Sequence, residues 1–236
     1  ACACAARSIA LPATGLSAIP SVADPDRIGV TGMSDGTSTA VFALLHSKMF
    51  AAAAISNCCI DTMFATRVGP VGAGEFARMG YHGLTDRSAK ADAFWAQISL
   101  ARNAARIATP ILMQSSDDEV MSALESYTAL RESRAPGDLF VFPHEHHVRW
   151  QPAHRLAGYT RTLDWFDYWL KGDQNGVEER KPVSVFVMGV NRWYEEQDWP
   201  LPQTQWTKYY LDSGGKANSL KGDGRLGGGL PVGAAS

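Results

Sequence analysis

The run Gly32-Met33-Ser34-Asp35-Gly36 sets one serine hydroxyl between two glycines, in the pattern G-x-S-x-G. That pattern suits a turn so sharp that its central residue is strained and its side chain is lifted clear of the chain. A hydroxyl is a poor nucleophile until a neighbouring base takes its proton, and imidazole commonly serves as that base. Six histidines are present, and three of them crowd into His144-Glu145-His146-His147. Carboxylates that could orient such an imidazole crowd into Ser116-Asp117-Asp118-Glu119-Val120. Counted through Ser34, Asp117 and His147, the intervals are 83 and 30 residues. Nucleophile, acid and base together are the parts of an acyl-transfer site. The same motif has a blander use, in which Ser34 caps the N-terminus of the helix that follows.

Other chemistry is less well supplied. His144, His146 and His147 with Glu145 alternate along a loop and do not make a complete metal-ligand set, and no H-E-x-x-H helix is present. No metal or cofactor is expected. His46 is expected inside a buried helix, His82 in a Gly-rich loop, and His154 with Arg155 on the surface. Cys2, Cys4 and the adjacent pair Cys58–Cys59 have no zinc-finger spacing and read as small hydrophobes.

Bringing these side chains together requires strands that end at a common edge. Four apolar runs are strand-like: Arg27–Thr31, Phe50–Ser56, Pro110–Gln114 and Leu139–Phe142. Being apolar throughout, they fit strands buried on both faces of a parallel sheet. Helices are expected between them. Gly36–Lys48 is apolar nearly all round and should be buried. Met121, Leu124, Tyr127 and Leu130 recur every third residue on a helix that should end near Arg134. Leu156, Tyr159, Leu163, Phe166 and Leu170 make an amphipathic face, stopped by Gly172. Alternating strands and helices predict an α/β layer fold. The Ser, acid and His segments each follow one of its strands, in the chain order of an α/β-hydrolase.

Composition narrows the partners. Net charge is -2, without the basic excess of a nucleic-acid binder. No apolar run approaches the roughly 18 residues of a membrane span. Ala1–Arg7 carries no leader pattern, so bacterial cytoplasm and periplasm both stay open. The stretch before Asp24 suffices for part of one helix, and the chain does not begin with Met, so the sheet is expected to be cut on its N-terminal side. Cut edges would favour a homo-oligomer or a missing N-terminal domain. Residues 1–174 are read as the catalytic domain. Residues 175–236 are read as a partial β extension, with strands at Lys181–Gly189 and Lys208–Leu211 and a Gly-rich tail that can bury little surface.

Four segments carry a family resemblance. Asp24–Gly36 resembles the nucleophile segment of prolyl oligopeptidase-family serine peptidases. Ser116–Val120 is similar to their acid loop, Pro143–His147 to their P-x-E-x-H segment, and Leu163–Asp167 to the helix after it. Ser56-Asn57-Cys58-Cys59 and His146–Arg155 resemble more narrowly the lasso-peptide isopeptidase branch. Over residues 20–172 the resemblance implies an α/β-hydrolase fold, with Ser34 as nucleophile, His147 as base and the Asp35 backbone N–H as one oxyanion donor. The second donor would come from a loop after an earlier strand. The wider family implies Asp117 as the acid, which we take first, and the narrower branch implies Glu119. The expected activity is hydrolysis of peptide or isopeptide bonds. Lys181–Gly189, Asn191–Trp193 and Asp198–Pro200 resemble the start of the β-sandwich domain of cocaine-esterase-like acyl esterases and X-prolyl dipeptidyl peptidases. That similarity implies one alternative, an ester substrate, and the missing strand for the second oxyanion donor motivates another, a non-catalytic fragment.

Overall fold

The computed structural model describes residues 24–57 and 60–231. The four cysteines and the stretch before Asp24 lie outside them. Contacts divide the chain into two units, one ending at Val177 and the other beginning at Glu178.

The first unit is built on a four-stranded sheet in the order β1 (Gly29–Met33), β2 (Ala52–Ser56), β3 (Ile111–Ser116), β4 (Gly137–Phe142). All three pairings are parallel, so all four C-terminal ends lie along one edge. Met33 pairs with Ser56, Ser56 with Gln114, and Ser116 with Phe142. Ser34, Asn57, Asp117 and Pro143 therefore leave the sheet side by side.

The period-2 alternation of β2 divides the core. Ala53 and Ile55 join Ile111 and Met113 on one face, under helix α1 (Asp35–His46) and helix α5 (Val120–Glu132). Ala52 and Ala54 join Leu112 on the other, under helix α6 (Pro152–Phe166). There Trp165 is buried, and Phe166, Trp169 and Leu170 pack around it, the last two on a π-helical turn over Asp167–Lys171. Gly29 makes room for that face, since a Cβ there would stand 2.7 Å from the Phe166 ring. Between β2 and β3 run helices α2 (Phe64–Arg78), α3 (Ala89–Ile98) and the short α4 (Leu100–Asn103).

Two helices bury faces other than the expected ones. On α5 the buried residues are Ser122, Ala123, Ser126 and Leu130, while Met121 is 58% exposed. At roughly 100° per residue, nine residues separate Met121 from Leu130 by half a turn of the helix, so a step of three cannot describe one face. A step of four, from Ser122 to Ser126 to Leu130, does. On α6 the apolar stripe is split. Phe166 packs inward, but Leu156, Tyr159 and Leu163 are exposed. The inward side of that half of the helix is polar: Gly158 lies against Arg149, and Thr162 accepts a hydrogen bond from Gln114 at 2.9 Å. His46 is also outside the core. It is exposed at the last turn of α1, where its ring nitrogen reaches the Gln97 carbonyl at 3.0 Å.

The second unit holds two antiparallel pairs, β5 (Val183–Val187) with β6 (Arg192–Glu196), and β7 (Tyr210–Asp212) with β8 (Arg225–Gly227). Phe186 pairs with Trp193 across the first hairpin, their rings 5.4 Å apart. Trp193, Trp199 and Trp206 are exposed.

Candidate active site

The turn after β1 is held by sterics and by two backbone anchors. Ser34 has φ 57 and ψ -120, a strained conformation for a residue with a side chain. A Cβ on Gly32 would stand 2.2 Å from the Gly36 carbonyl oxygen, so only glycine fits there. Gly36 itself has nothing within 4 Å of such a Cβ, so its smallness is not what lets the chain pass. The Ser34 N–H donates to the Ser56 carbonyl at 3.1 Å, and the Thr37 hydroxyl bonds the carbonyls of Ser56 and Gly32 at 2.8 and 3.0 Å. The Ser34 side chain makes no capping bond to α1. Its Oγ lies instead 2.6 Å from His147 Nε2.

His147 sits in the loop after β4. Its Nδ1 lies 2.8 Å from Glu119 Oε2 and 3.0 Å from Oε1. One tautomer satisfies both sides of the ring: Nδ1–H donates to Glu119, and Nε2 accepts from the Ser34 hydroxyl. Glu119 is 7% exposed at the N-terminal end of α5.

Asp117 has different neighbours. Its two oxygens accept the backbone N–H groups of His144 at 2.8 Å and Glu145 at 3.2 Å, and its own N–H donates to the Phe142 carbonyl at 3.1 Å. It leaves the strand end pointing along the sheet edge toward the neighbouring loop, whereas Glu119, two residues on and one methylene longer, reaches the imidazole. Asp118 Oδ2 meets His146 Nδ1 at 3.0 Å, an exposed pair that raises the His146 pKa through its hydrogen bond and charge. Asp35 opens α1, so its N–H follows Ser34 at the positive end of the helix dipole.

Several residues around the site have roles that the sequence did not indicate. Glu145, 1% exposed, accepts the N–H groups of Trp150 at 2.8 Å and Gln151 at 3.0 Å, and its Oε1 meets His154 Nδ1 at 2.9 Å. Burial pushes its carboxyl up, but these three donors together hold it below the usual range. It folds the segment after His147 back onto the loop. His154, expected at the surface, is half-buried in this pairing and lies against the Phe142 ring. Asn57 bonds both β3 and the His147 carbonyl. A faint signal existed for both: an acid inside a loop just before a helix start, and an asparagine directly after a strand.

Other titratable groups lie apart from this constellation. Asp61, 1% exposed, accepts from the Ser126 hydroxyl and from the Ala101 N–H at 3.2 Å, and burial pushes its carboxyl up to about 6. His82 pairs with Asp86 at 2.7 Å, and that bond holds the Asp86 carboxyl down at about 2. Among the described residues no group of three His, Cys, Asp or Glu is placed to hold a metal ion, and no helix is long and apolar enough to cross a membrane.

Residues 14–173 match the model of the prolyl oligopeptidase family, and residues 175–231 that of the X-Pro dipeptidyl-peptidase C-terminal non-catalytic domain. Lasso peptide isopeptidase AtxE2 of Asticcacaulis excentricus is 47% identical over 173 residues, which is 73% of this chain and 24% of that protein. Cocaine esterase of a Rhodococcus species is 32% identical over 148 residues, 57% of this chain and 26% of that protein. The chain thus spans about a quarter of the length of the curated relatives it matches. The apo structure of the AtxE2 isopeptidase superposes with a TM-score of 0.62 at 42% identity, over 70% of this chain and 25% of that one. A serine-to-alanine variant of it with Astexin3-dC4 bound gives the same TM-score at 41% identity, over 70% of this chain and 26% of that one. An acylaminoacyl peptidase of Pyrococcus horikoshii shares the fold, with a TM-score of 0.55 at 21% identity over 69% of this chain and 27% of that one.

Proposed function

Since the chain belongs to the prolyl oligopeptidase family, with an α/β-hydrolase fold, we propose that Ser34, His147 and Glu119 are a catalytic triad that hydrolyses a peptide or isopeptide bond. The observation that carries this reading is the unbroken chain from Ser34 Oγ to His147 Nε2 at 2.6 Å and from His147 Nδ1 to Glu119 at 2.8 Å.

Each step follows from a named atom. His147 Nε2 takes the Ser34 proton as Oγ attacks the substrate carbonyl. Glu119 holds the ring in the required tautomer and stabilises the imidazolium that forms. The negative oxygen of the tetrahedral intermediate is held by the Asp35 N–H. A single donor of this kind is worth on the order of 10²–10³ in rate. The imidazolium then gives its proton to the leaving amine, the acyl group stays on Ser34, and a water activated by His147 releases it. Asp117 acts on the backbone of the His147 loop and not on the ring.

The isopeptidase similarity supports a threaded or branched peptide as substrate. The full protein, with this chain included, should release a linear product from an isopeptide-linked ring peptide, and Ser34→Ala should abolish release. Turnover of acyl esters alone, with peptides and isopeptides untouched, would overturn the peptide reading. It would favour the ester-hydrolase alternative, which the cocaine esterase match and residues 175–231 support.

A further inference from the structure

We propose that Asn57 is a positioning residue for the site, a brace that fixes the His147 loop to the ends of β2 and β3. The proposal rests on the triad reading above. Asn57 follows β2 directly and is 8% exposed. Its φ is 50, in the left-handed region that asparagine enters more readily than most residues with side chains.

Three hydrogen bonds radiate from it. Its backbone N–H donates to the Gln114 carbonyl at 2.7 Å. Its Oδ1 accepts the Ser116 N–H at 3.2 Å. Its Nδ2 donates to the carbonyl of His147. Gln114 and Ser116 belong to the strand that runs on to Glu119. The residue before Asn57, Ser56, offers the carbonyl that anchors the Ser34 N–H at 3.1 Å. Two adjacent residues at the end of β2 therefore touch all three segments that carry the triad. A primary amide is the group that does this, because one face of it must donate and the other accept. Aspartate would keep the acceptor toward Ser116 and set a carboxylate oxygen against the His147 carbonyl. Asn57 touches no reacting atom and acts through the placement of His147.

Misplacement of a catalytic group by about 1 Å can cost on the order of 10²-fold in rate. The test measures labelling of Ser34 by a fluorophosphonate in this chain, comparing wild type with Asn57→Asp and Asn57→Ala. The maximal labelling rate and the half-saturating concentration are read separately. The low-field proton resonance of His147 Nδ1–H is followed in the same samples. Both variants should lower the maximal rate by about 10- to 100-fold, leave the half-saturating concentration within about twofold, and shift or broaden the resonance. An unmoved resonance in both variants overturns the brace, whatever the rates. Loss of cooperative melting in both variants also overturns it, because Asn57 would then serve folding alone. If wild type is not labelled while the resonance still moves in Asn57→Asp, the brace stands and the catalytic reading fails.

Discussion

The turn after β1 and the loop after β4 deliver Ser34 and His147 to one point by opposite means. The turn is made by what is missing. Gly32 lacks the Cβ that would strike the Gly36 carbonyl at 2.2 Å, and the strained Ser34 backbone follows from so tight a passage. Its steric information is local, within five residues, with the Ser56 carbonyl as an added anchor. The loop is made by what reaches in from elsewhere. Asp117 holds the His144 and Glu145 N–H groups from 27 and 28 residues away, Asn57 holds the His147 carbonyl from 90, and Glu145 gathers Trp150, Gln151 and His154. A steric turn tolerates no substitution at its critical atom. A hydrogen-bonded loop can lose one tie and keep its shape in part.

That contrast sets the order of expected effects. Gly32→Ala should be the most damaging change, since backbone must move to admit the methyl group. We expect at least about 3 kcal/mol of lost stability, read as a melting temperature lower by roughly 10 °C, together with loss of Ser34 labelling. Gly36→Ala is the control. It should be neutral or raise stability by about 0.5–1 kcal/mol, as alanine is the better helix former and meets no atom there. If the two alanines cost the same, the steric account of the turn is wrong.

Glu145→Gln should fall between these. Gln cannot accept as well as a carboxylate from three donors, and the cost should be about 1–3 kcal/mol by chemical denaturation, with labelling of Ser34 slowed by about tenfold. No change in either would mean that Glu145 does not hold the loop.

Asp118→Asn should matter least. The pair with His146 is exposed, and solvent screens such pairs so that they add little stability. Because the His146 pKa is raised, its contribution is fully present below the ordinary value of 6.5 and lost as pH rises through the raised one. The variant should therefore flatten a small loss of stability above pH 6.5, with melting curves across that range as the check. An unchanged pH profile would remove this pair from the forces closing the loop.

The same contrast explains what could be read from the sequence. Strand–turn–helix around Ser34 was legible because its cause is local. β2 and β3 were legible because burial on both faces leaves uninterrupted apolar runs such as Ala52–Ile55, whereas β1 and β4, expected to be buried in the same way, are only partly covered. The acid was not legible. Asp117 and Glu119 differ by two positions, and which one meets the imidazole depends on how the chain leaves β3 and on what the backbone of the neighbouring loop requires. The inward faces of α5 and α6 were missed because small and polar residues, Ser122, Ser126, Gly158 and Thr162, take the inward positions there. Hydrophobic spacing alone pointed instead to Met121 and Leu156.

The central claim is that Glu119, and not Asp117, activates Ser34 through His147. Its most direct test is the fluorophosphonate labelling rate of Ser34 in Glu119→Gln beside Asp117→Asn. We predict a fall on the order of 10³–10⁴ for Glu119→Gln and about tenfold or less for Asp117→Asn. A Glu119→Gln variant labelled at the wild-type rate, with Asp117→Asn inert, would contradict it.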